Sequence, residues 1–174
     1  MKIIIRGAGE VGYSLAKYLS SEDMQVTVID EDAEKLHKIT GTIDVRSIAG
    51  KTYNPGTFEE AGVIDADLLI SVSENDESNI VACEMAKILF NVPNTIARIK
   101  EKELLNKKWL DLFSKKGFKI DNIISPENEV ANMLARLVAV SGAHDLISFA
   151  DDKVRLIGLK LDENCPVLDT PLSQ

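Results

Sequence analysis

The chain has 174 residues, 45% of them apolar, a formal net charge of −8 and a pI near 4.8. This length provides for one full domain with a hydrophobic core and for the beginning of a second. The negative charge excludes non-specific binding to nucleic acids and to anionic membranes, since both need a basic surface, so no nucleic-acid partner is expected.

Short runs rich in β-branched residues alternate with longer helical patterns from the first residue onward. The predicted strands are Lys2 to Arg6, Gln25 to Ile29, Ile43 to Ala49, Ala66 to Val72, Thr95 to Lys100 and Asp121 to Ser125. Between them, apolar residues recur at the spacing of a helix that covers a sheet, as at Val11, Leu15 and Leu19. This alternation predicts an α/β fold with a doubly wound parallel sheet of the Rossmann type, in the strand order 3-2-1-4-5-6.

The first predicted strand leads directly into a G-x-G-x-x-G motif that opens the first helix. In such a loop Gly7 permits the tight turn, Gly9 lets a pyrophosphate approach the backbone, and Gly12 lets helix and strand pack closely. The amino terminus of the helix then offers unpaired amides and a positive dipole end to phosphate groups. The residues predicted to bind the phosphates of a nucleotide are Gly7, Ala8, Gly9, Glu10, Val11 and Gly12.

The second strand ends in Val28-Ile29-Asp30, about 20 residues beyond the loop, where a carboxylate accepts hydrogen bonds from ribose hydroxyls. An anion at this point repels a 2′-phosphate, so NAD(H), ATP or ADP is predicted in preference to NADP(H). Glu31 is close enough for a secondary ribose contact. The alternative is a glycine-rich turn in which Asp30 caps the next helix.

A doubly wound sheet binds ligands beyond the carboxyl ends of its strands, where the strand order reverses. The third strand ends in Ala49-Gly50-Lys51, where small residues would let an adenine ring lie against the backbone. A polar cluster follows the fourth strand, and its residues either contact the ligand or cap the next helix. The candidate contacts there are Ser73, Glu74, Asn75 and Asn79. In the fifth strand Arg98 is either a phosphate ligand or half of an ion pair, and the open crevice favours the phosphate.

The chain is predicted to divide after a Rossmann domain that spans residues 1–140. Its last helix, from Pro126, carries a wide apolar stripe, which indicates either contact with another subunit or ordinary packing as the last helix. The pattern then changes to two antiparallel strands, His144 to Ala150 and Lys153 to Leu161. Residues 144–174 are predicted to begin an α+β subdomain that is incomplete, because about 30 residues are too few for an independent domain.

Cysteine content and hydropathy exclude further classes of protein. Cys83 and Cys165 form no C-x-x-C motif, so neither a disulfide framework nor a zinc site is expected, and the reducing cytoplasm is favoured. No window approaches the roughly 20 apolar residues of a membrane-spanning helix. Two alternative functions are an NAD-dependent dehydrogenase, which would need a proton-transfer residue and a substrate domain, and a Rossmann-type redox-sensing repressor, which would need a basic DNA-reading domain. The sequence indicates none of these features.

Together these residues resemble the regulatory subunits of Trk and Ktr potassium transporters, the TrkA family, whose domains are also called KTN or RCK domains. The resemblance covers essentially the whole chain and is most specific in the run Phe90-Asn91-Val92-Pro93-Asn94-Thr95-Ile96-Ala97-Arg98-Ile99. It also rests on residues 2–12, 28–30, 54–62, 65–67, 75–79, 93–100 and 124–127.

The resemblance implies a non-enzymatic regulatory subunit that binds NAD(H) or, alternatively, ATP or ADP. The residues implied to hold the ligand are Gly7 to Val11, Asp30, Ser73, Glu74 and Arg98. A homo-oligomer, at least a dimer, would dock from the cytoplasm onto a TrkH/TrkG-like potassium channel or transporter subunit at the inner face of the cell membrane. The helix from Pro126 would serve as a crossover or hinge element, and the strands after Ala143 would start the C-terminal ligand-binding subdomain.

The chain departs from the family pattern in two respects. Members commonly carry an acid or an amide after the glycine that ends the third strand, where this chain has Lys51. A typical member contains two copies of the nucleotide-binding domain with its C-terminal subdomain. The present chain is therefore a candidate fragment of a longer protein.

Overall fold

The computed structural model describes residues 1–51, 53–106, 108, 117–139, 143–149, 153–161 and 168. The chain forms two compact units, Met1–Ser125 and Pro126–Gln174. Among the described residues, no helix is long and apolar enough to cross a membrane.

A six-stranded parallel sheet forms the centre of the first unit. Its strands are β1 (Lys2–Arg6), β2 (Gln25–Asp30), β3 (Arg46–Ala49), β4 (Leu68–Ser71), β5 (Asn94–Arg98) and β6 (Asn122–Ile124). They lie in the order β3-β2-β1-β4-β5-β6, and every neighbouring pair is parallel. The predicted fold class and strand order are confirmed. The third strand begins later than predicted because the Ile43 amide still donates to the Ile39 carbonyl of the preceding helix.

Two hydrophobic layers cover the sheet because successive side chains of each strand point to opposite faces. The α-helices that the structure describes in this unit are α1 (Glu10–Ser21), α2 (Ala33–Thr40), α3 (Pro55–Glu60) and α4 (Asp76–Phe90), and a short 3-10 helix spans Val63–Asp65. From β1, Ile3 and Ile5 join a buried cluster with Ala16 of α1, whereas Ile4 joins the opposite cluster with Ile80 of α4. The sheet is therefore buried on both faces, and a ligand-binding site can form at the ends of its strands.

Side-chain caps begin α2, α3 and α4. Asp32 caps α2, Asn54 caps α3 and Asn75 caps α4, each by accepting backbone amide hydrogen bonds. At α1 the cap position is Gly9, so no side chain accepts the amides of the first turn. Because α2 is capped by Asp32, the alternative that Asp30 is its cap is wrong.

The second unit contains helix α5 (Pro126–Ala139) and a two-stranded antiparallel sheet of β7 (Ala143–Phe149) and β8 (Val154–Leu159). The predicted antiparallel strand pair is confirmed. On α5 the side chains of Val130 and Leu134 are exposed.

Contacts of the Cα atoms place α5 in the same compact unit as the strand pair. The sequence pattern instead assigns this helix to the Rossmann domain of residues 1–140. The division into domains of residues 1–140 and 144–174 stays a prediction, as does the incompleteness of the second.

An ion pair beside the sheet edge couples folding to pH. Asp121, directly before β6, accepts a hydrogen bond from the Thr95 amide at 2.7 Å and pairs with Lys87 Nζ at 2.6 Å. Burial raises the pKa of Asp121, but its hydrogen bonds to Lys87 and Thr95 together outweigh burial and hold that pKa below its ordinary value. A depressed carboxyl pKa contributes stability that is present above the unfolded-state value of about 3.9 and is lost as the pH falls through the lower folded-state value.

Asp121→Asn is expected to lower the urea midpoint at neutral pH, and the difference from wild type should shrink below about pH 3. Urea unfolding followed by circular dichroism from neutral pH to about pH 2.5 measures this difference. Asp44→Asn changes an exposed carboxylate and should leave the profile unchanged. If the urea midpoints of wild type and Asp121→Asn differed by the same amount at every pH, the ion pair would not couple folding to pH.

Candidate functional site

The candidate site lies at the switch point of the sheet, beyond the carboxyl ends of β1 and β4. A crevice of about 240 Å³ lies between the glycine loop (Gly7–Gly12) and the segment after β4. Its lining residues are Arg6, Gly7, Gly9, Asp30, Glu31, Lys35, Val72, Ser73, Glu74 and Asn75. Those predicted from the sequence are Gly7, Gly9, Asp30, Glu31, Ser73, Glu74 and Asn75. The fold thus brings the loop, the end of β2 and the end of β4 to one place.

Each glycine of the loop meets a different environment. Gly7 has a φ of 110°, and a Cβ there would lie 2.8 Å from the Ser73 amide nitrogen. A Cβ at Gly12 would overlap the carbonyl oxygen of Gly7. A Cβ at Gly9 would meet no atom within 4 Å. Packing of the chain therefore requires glycine at two of these positions, whereas Gly9 leaves open space at the crevice.

The remaining loop residues are Ala8, Glu10 and Val11, whose contacts with a ligand stay predictions. The Ala8 amide is 2.6 Å from Asp30 Oδ2, so it is already engaged by the protein. The side chains of Glu10 and Val11 lie with Ser14 on an outer patch of α1 and do not line the crevice. Because α1 lacks a side-chain cap, its first-turn amides and its dipole offer positive charge to an anion.

Asp30 is oriented by backbone amides. Its Oδ2 accepts from Ala8, and its Oδ1 accepts from the Asp32 amide at 2.9 Å. A carboxylate has about four acceptor positions, so each oxygen keeps capacity for a further hydrogen bond. Glu31 lines the same wall. This arrangement can accept hydrogen bonds from vicinal hydroxyls while holding the glycine loop against β2.

The residues after β3 lie beside Asp30 but outside the lining of the crevice. Ala49 pairs with Asp30 in the sheet register, and the Gly50 amide donates to the Asp30 carbonyl at 2.9 Å. The Lys51 ammonium lies 5.6 Å from the centre of the Tyr53 ring. The adenine contacts predicted for Ala49, Gly50 and Lys51 stay predictions.

Asn79 occupies the buried centre beneath the crevice. It is 0% exposed, and its Oδ1 accepts from Arg6 Nη1 at 2.9 Å, from Ser71 Oγ at 3.0 Å and from the Ser73 amide at 2.9 Å. Its Nδ2 donates to the carbonyls of Ser73 and Arg98 at 3.0 and 2.9 Å. This buried amide joins the ends of β1, β4 and β5, and the ligand contact predicted for Asn79 stays a prediction.

Arg98 is held in an ion pair. Its Nη1 donates to Glu74 Oε1 at 3.0 Å, and Lys100 Nζ binds the other oxygen of Glu74. Hydrogen bonds from Lys100 and Arg98 hold the pKa of Glu74 below its usual value. In this structure Arg98 therefore matches the ion-pair alternative, and its phosphate contact stays a prediction.

Sequence reasoning missed Arg6, Lys35 and Val72, which also line the crevice. The sequence does indicate Arg6, because this cationic residue ends an apolar run directly before Gly7, as Arg98 ends β5. Lys35 is the third residue of α2, and nothing in its sequence context indicates a contact with the crevice.

The family described as the TrkA-N domain matches residues 3–126. The chain belongs to the TrkA-N family. Residues 3–126 contain all six strands of the parallel sheet except Lys2 at the start of β1, and every residue that lines the crevice.

Relatives of this TrkA-N chain carry the name of a potassium uptake system. The chain is 41% identical over all of its 174 residues to the Trk system potassium uptake protein TrkA of Azorhizobium caulinodans. It is 39% identical, over 99% of its length, to the protein of the same name from Vibrio alginolyticus. The chain spans 38% of the length of each relative.

Solved structures share the fold. The TrkA-N domain of inner membrane protein ybaL from Escherichia coli has a TM-score of 0.67 at 19% identity, with 79% of this chain and 96% of that chain covered. The GsuK channel bound to NAD has a TM-score of 0.65 at 16% identity, with 86% and 25% covered. GsuK bound to ADP has a TM-score of 0.63 at 23% identity, with 79% and 33% covered.

Proposed function

We propose that the crevice binds NAD(H) or, alternatively, ATP or ADP, and that it performs no chemistry on the nucleotide. The observation that carries this proposal is the open position at Gly9, directly at the uncapped start of α1. A phosphate placed there meets backbone amides and a helix dipole and displaces no side chain. Asp30 lies across the crevice with acceptor capacity for ribose hydroxyls.

The choice among nucleotides rests on Asp30. A 2′-phosphate on the ribose would bring a second anion against this carboxylate and against Glu31, at an electrostatic cost. Nucleotides with a free 2′-hydroxyl are therefore preferred. GsuK, which shares the fold, is known in NAD-bound and ADP-bound forms, and these support the two ligand classes.

Asp30→Asn is expected to weaken binding of NADH and ADP about tenfold or more, because a hydrogen bond to a charged acceptor contributes about 1.5–3 kcal/mol. It should also lower the ratio of the affinity for NADH to the affinity for NADPH, because the charge that repels the 2′-phosphate of NADPH is removed. Titration calorimetry with NADH, NAD, ATP, ADP and NADPH measures both effects. Asp44→Asn removes the same charge from an exposed position and should bind as wild type does. Unchanged NADH affinity in Asp30→Asn would contradict the ribose role.

The chain is further proposed to act within a cytoplasmic regulatory subunit of a Trk/Ktr-type potassium uptake system. That subunit would be a homo-oligomer, at least a dimer, docked on a TrkH/TrkG-like membrane subunit at the inner face of the cell membrane. The names of the relatives support this role. Nucleotide binding would bias gating only if the ligand has different affinities for the two states of the assembly.

Rubidium flux into vesicles that contain the membrane subunit tests the regulatory role. Added protein with NADH or ATP should change the flux, and Asp30→Asn should respond only at higher nucleotide concentration. Sedimentation of the same protein measures the oligomer. A flux that is insensitive to the protein at saturating nucleotide would reject the proposed gating while leaving nucleotide binding to the calorimetry.

A further inference from the structure

Arg6 places a buried cation in the wall of the crevice. It ends β1 after three buried isoleucines and is itself 6% exposed. Its Nη1 donates to Asn79 Oδ1 at 2.9 Å and to Ser73 Oγ. These contacts attach the guanidinium to residues that follow β4 in the chain.

The glycine loop and Arg6 line the same crevice. Gly7 has no side chain and packs directly on the Ser73 backbone, since a Cβ there would lie 2.8 Å from the Ser73 amide nitrogen. Ser73 is also the residue whose hydroxyl accepts from Arg6. The loop that cradles a phosphate and the side chain that carries the positive charge thus contact the same residue.

The charge of Arg6 is retained in spite of burial. Burial lowers its pKa, while the charges of Asp30 and Glu31 raise it, and an arginine stays protonated at neutral pH. A guanidinium in a largely dehydrated wall attracts an anion more strongly than an exposed cation does.

We propose that Arg6 recognises the second phosphate of the bound nucleotide, so that the crevice selects adenine nucleotides with a diphosphate, dinucleotides included, over adenosine. This inference rests on the proposed function, with the first phosphate at Gly9 and the start of α1. A chain of two phosphates that leaves Gly9 toward β4 reaches the side on which Arg6 lies. Arginine suits this role because its planar guanidinium can bind two phosphate oxygens at once.

The test compares ligands that differ only in phosphate content. Wild type, Arg6→Met and Arg6→Lys are titrated calorimetrically with adenosine, ADP and inorganic pyrophosphate. Arg6→Met should lose about tenfold or more in affinity for ADP and pyrophosphate and less than about twofold for adenosine. Arg6→Lys should lose less, because it keeps the charge but not the paired donors. Arg46→Met, which removes an exposed arginine at the amino end of β3, is the control and should bind as wild type does.

Each result decides the inference. Equal losses for adenosine and ADP, or no loss for either, would show that Arg6 only supports the fold, and the inference would be overturned while the proposed function stands. If wild type bound pyrophosphate through Arg6 but no nucleoside or nucleotide, the proposed function would fail and the phosphate role of Arg6 would remain. Binding of none of the three ligands would overturn both. If Arg6→Met does not fold, the test rests on Arg6→Lys. A loss of affinity for ADP and pyrophosphate, but not for adenosine, in Arg6→Lys would then support the inference.

Discussion

Replacing Gly12 with alanine is expected to lower the free energy of unfolding by about 3 kcal/mol, whereas the same replacement at Gly9 should cost about 1 kcal/mol or less. The added methyl group at Gly12 would overlap the Gly7 carbonyl oxygen, so the loop or α1 must move. At Gly9 the methyl group meets no atom of the described residues within 4 Å, its two chain neighbours apart. Urea unfolding of the two variants measures both costs.

Gly9→Ala is expected to have a large effect on ligand binding, in contrast to its small effect on stability. Gly9→Ala keeps the fold but fills the space in which a phosphate approaches the backbone, so its affinity for NADH or ADP is expected to fall about tenfold or more. Calorimetric titration of the folded variant measures this loss. A Gly9→Ala protein that folds and binds normally would contradict the placement of the phosphate. An equally stable Gly12→Ala protein would contradict the close packing of the loop.

Replacing Asn79 with alanine is expected to destabilise the first unit by about 3 kcal/mol or more. The change removes an amide that is 0% exposed and that serves Arg6, Ser73 and Arg98 at once. Their donors and acceptors would stay in the interior without this partner, and each such group costs about 1–3 kcal/mol. The loss should appear as a lower midpoint in urea and in thermal unfolding.

A matched variant on the same helix separates this effect from ordinary capping. Asn75 caps α4 through the Ser78 amide and is exposed, so Asn75→Ala should cost about 1 kcal/mol. A cost at Asn79 no larger than that at Asn75 would contradict the role of Asn79 as the buried junction of three strands. Asn79→Asp, which keeps one oxygen acceptor but lacks the amide donors, should also destabilise the unit.

Local patterns were sufficient for the architecture. The spacing of apolar residues distinguished strands from helices, and the order of the elements led to the doubly wound sheet that the structure confirms. Gly7, Gly9 and Asp30 line one crevice, because strand, loop and helix are adjacent along the chain, and their contacts with a nucleotide stay predictions. The ends of the strands were predicted less accurately. The third strand was predicted to begin at Ile43, but the Ile43 amide donates to the Ile39 carbonyl of α2.

The amino-acid sequence by itself thus determined the fold class, the strand order and the location of the crevice, all of which follow from residues close together in the chain. Only the tertiary structure decided what the polar residues at the strand ends do. Asn79 became a buried junction, Arg98 became the partner of Glu74, and Arg6 entered the wall of the crevice. The physical reason is distance along the chain, since Arg6 and its acceptor Asn79 are 73 residues apart and meet only when β1 and β4 pair in the sheet.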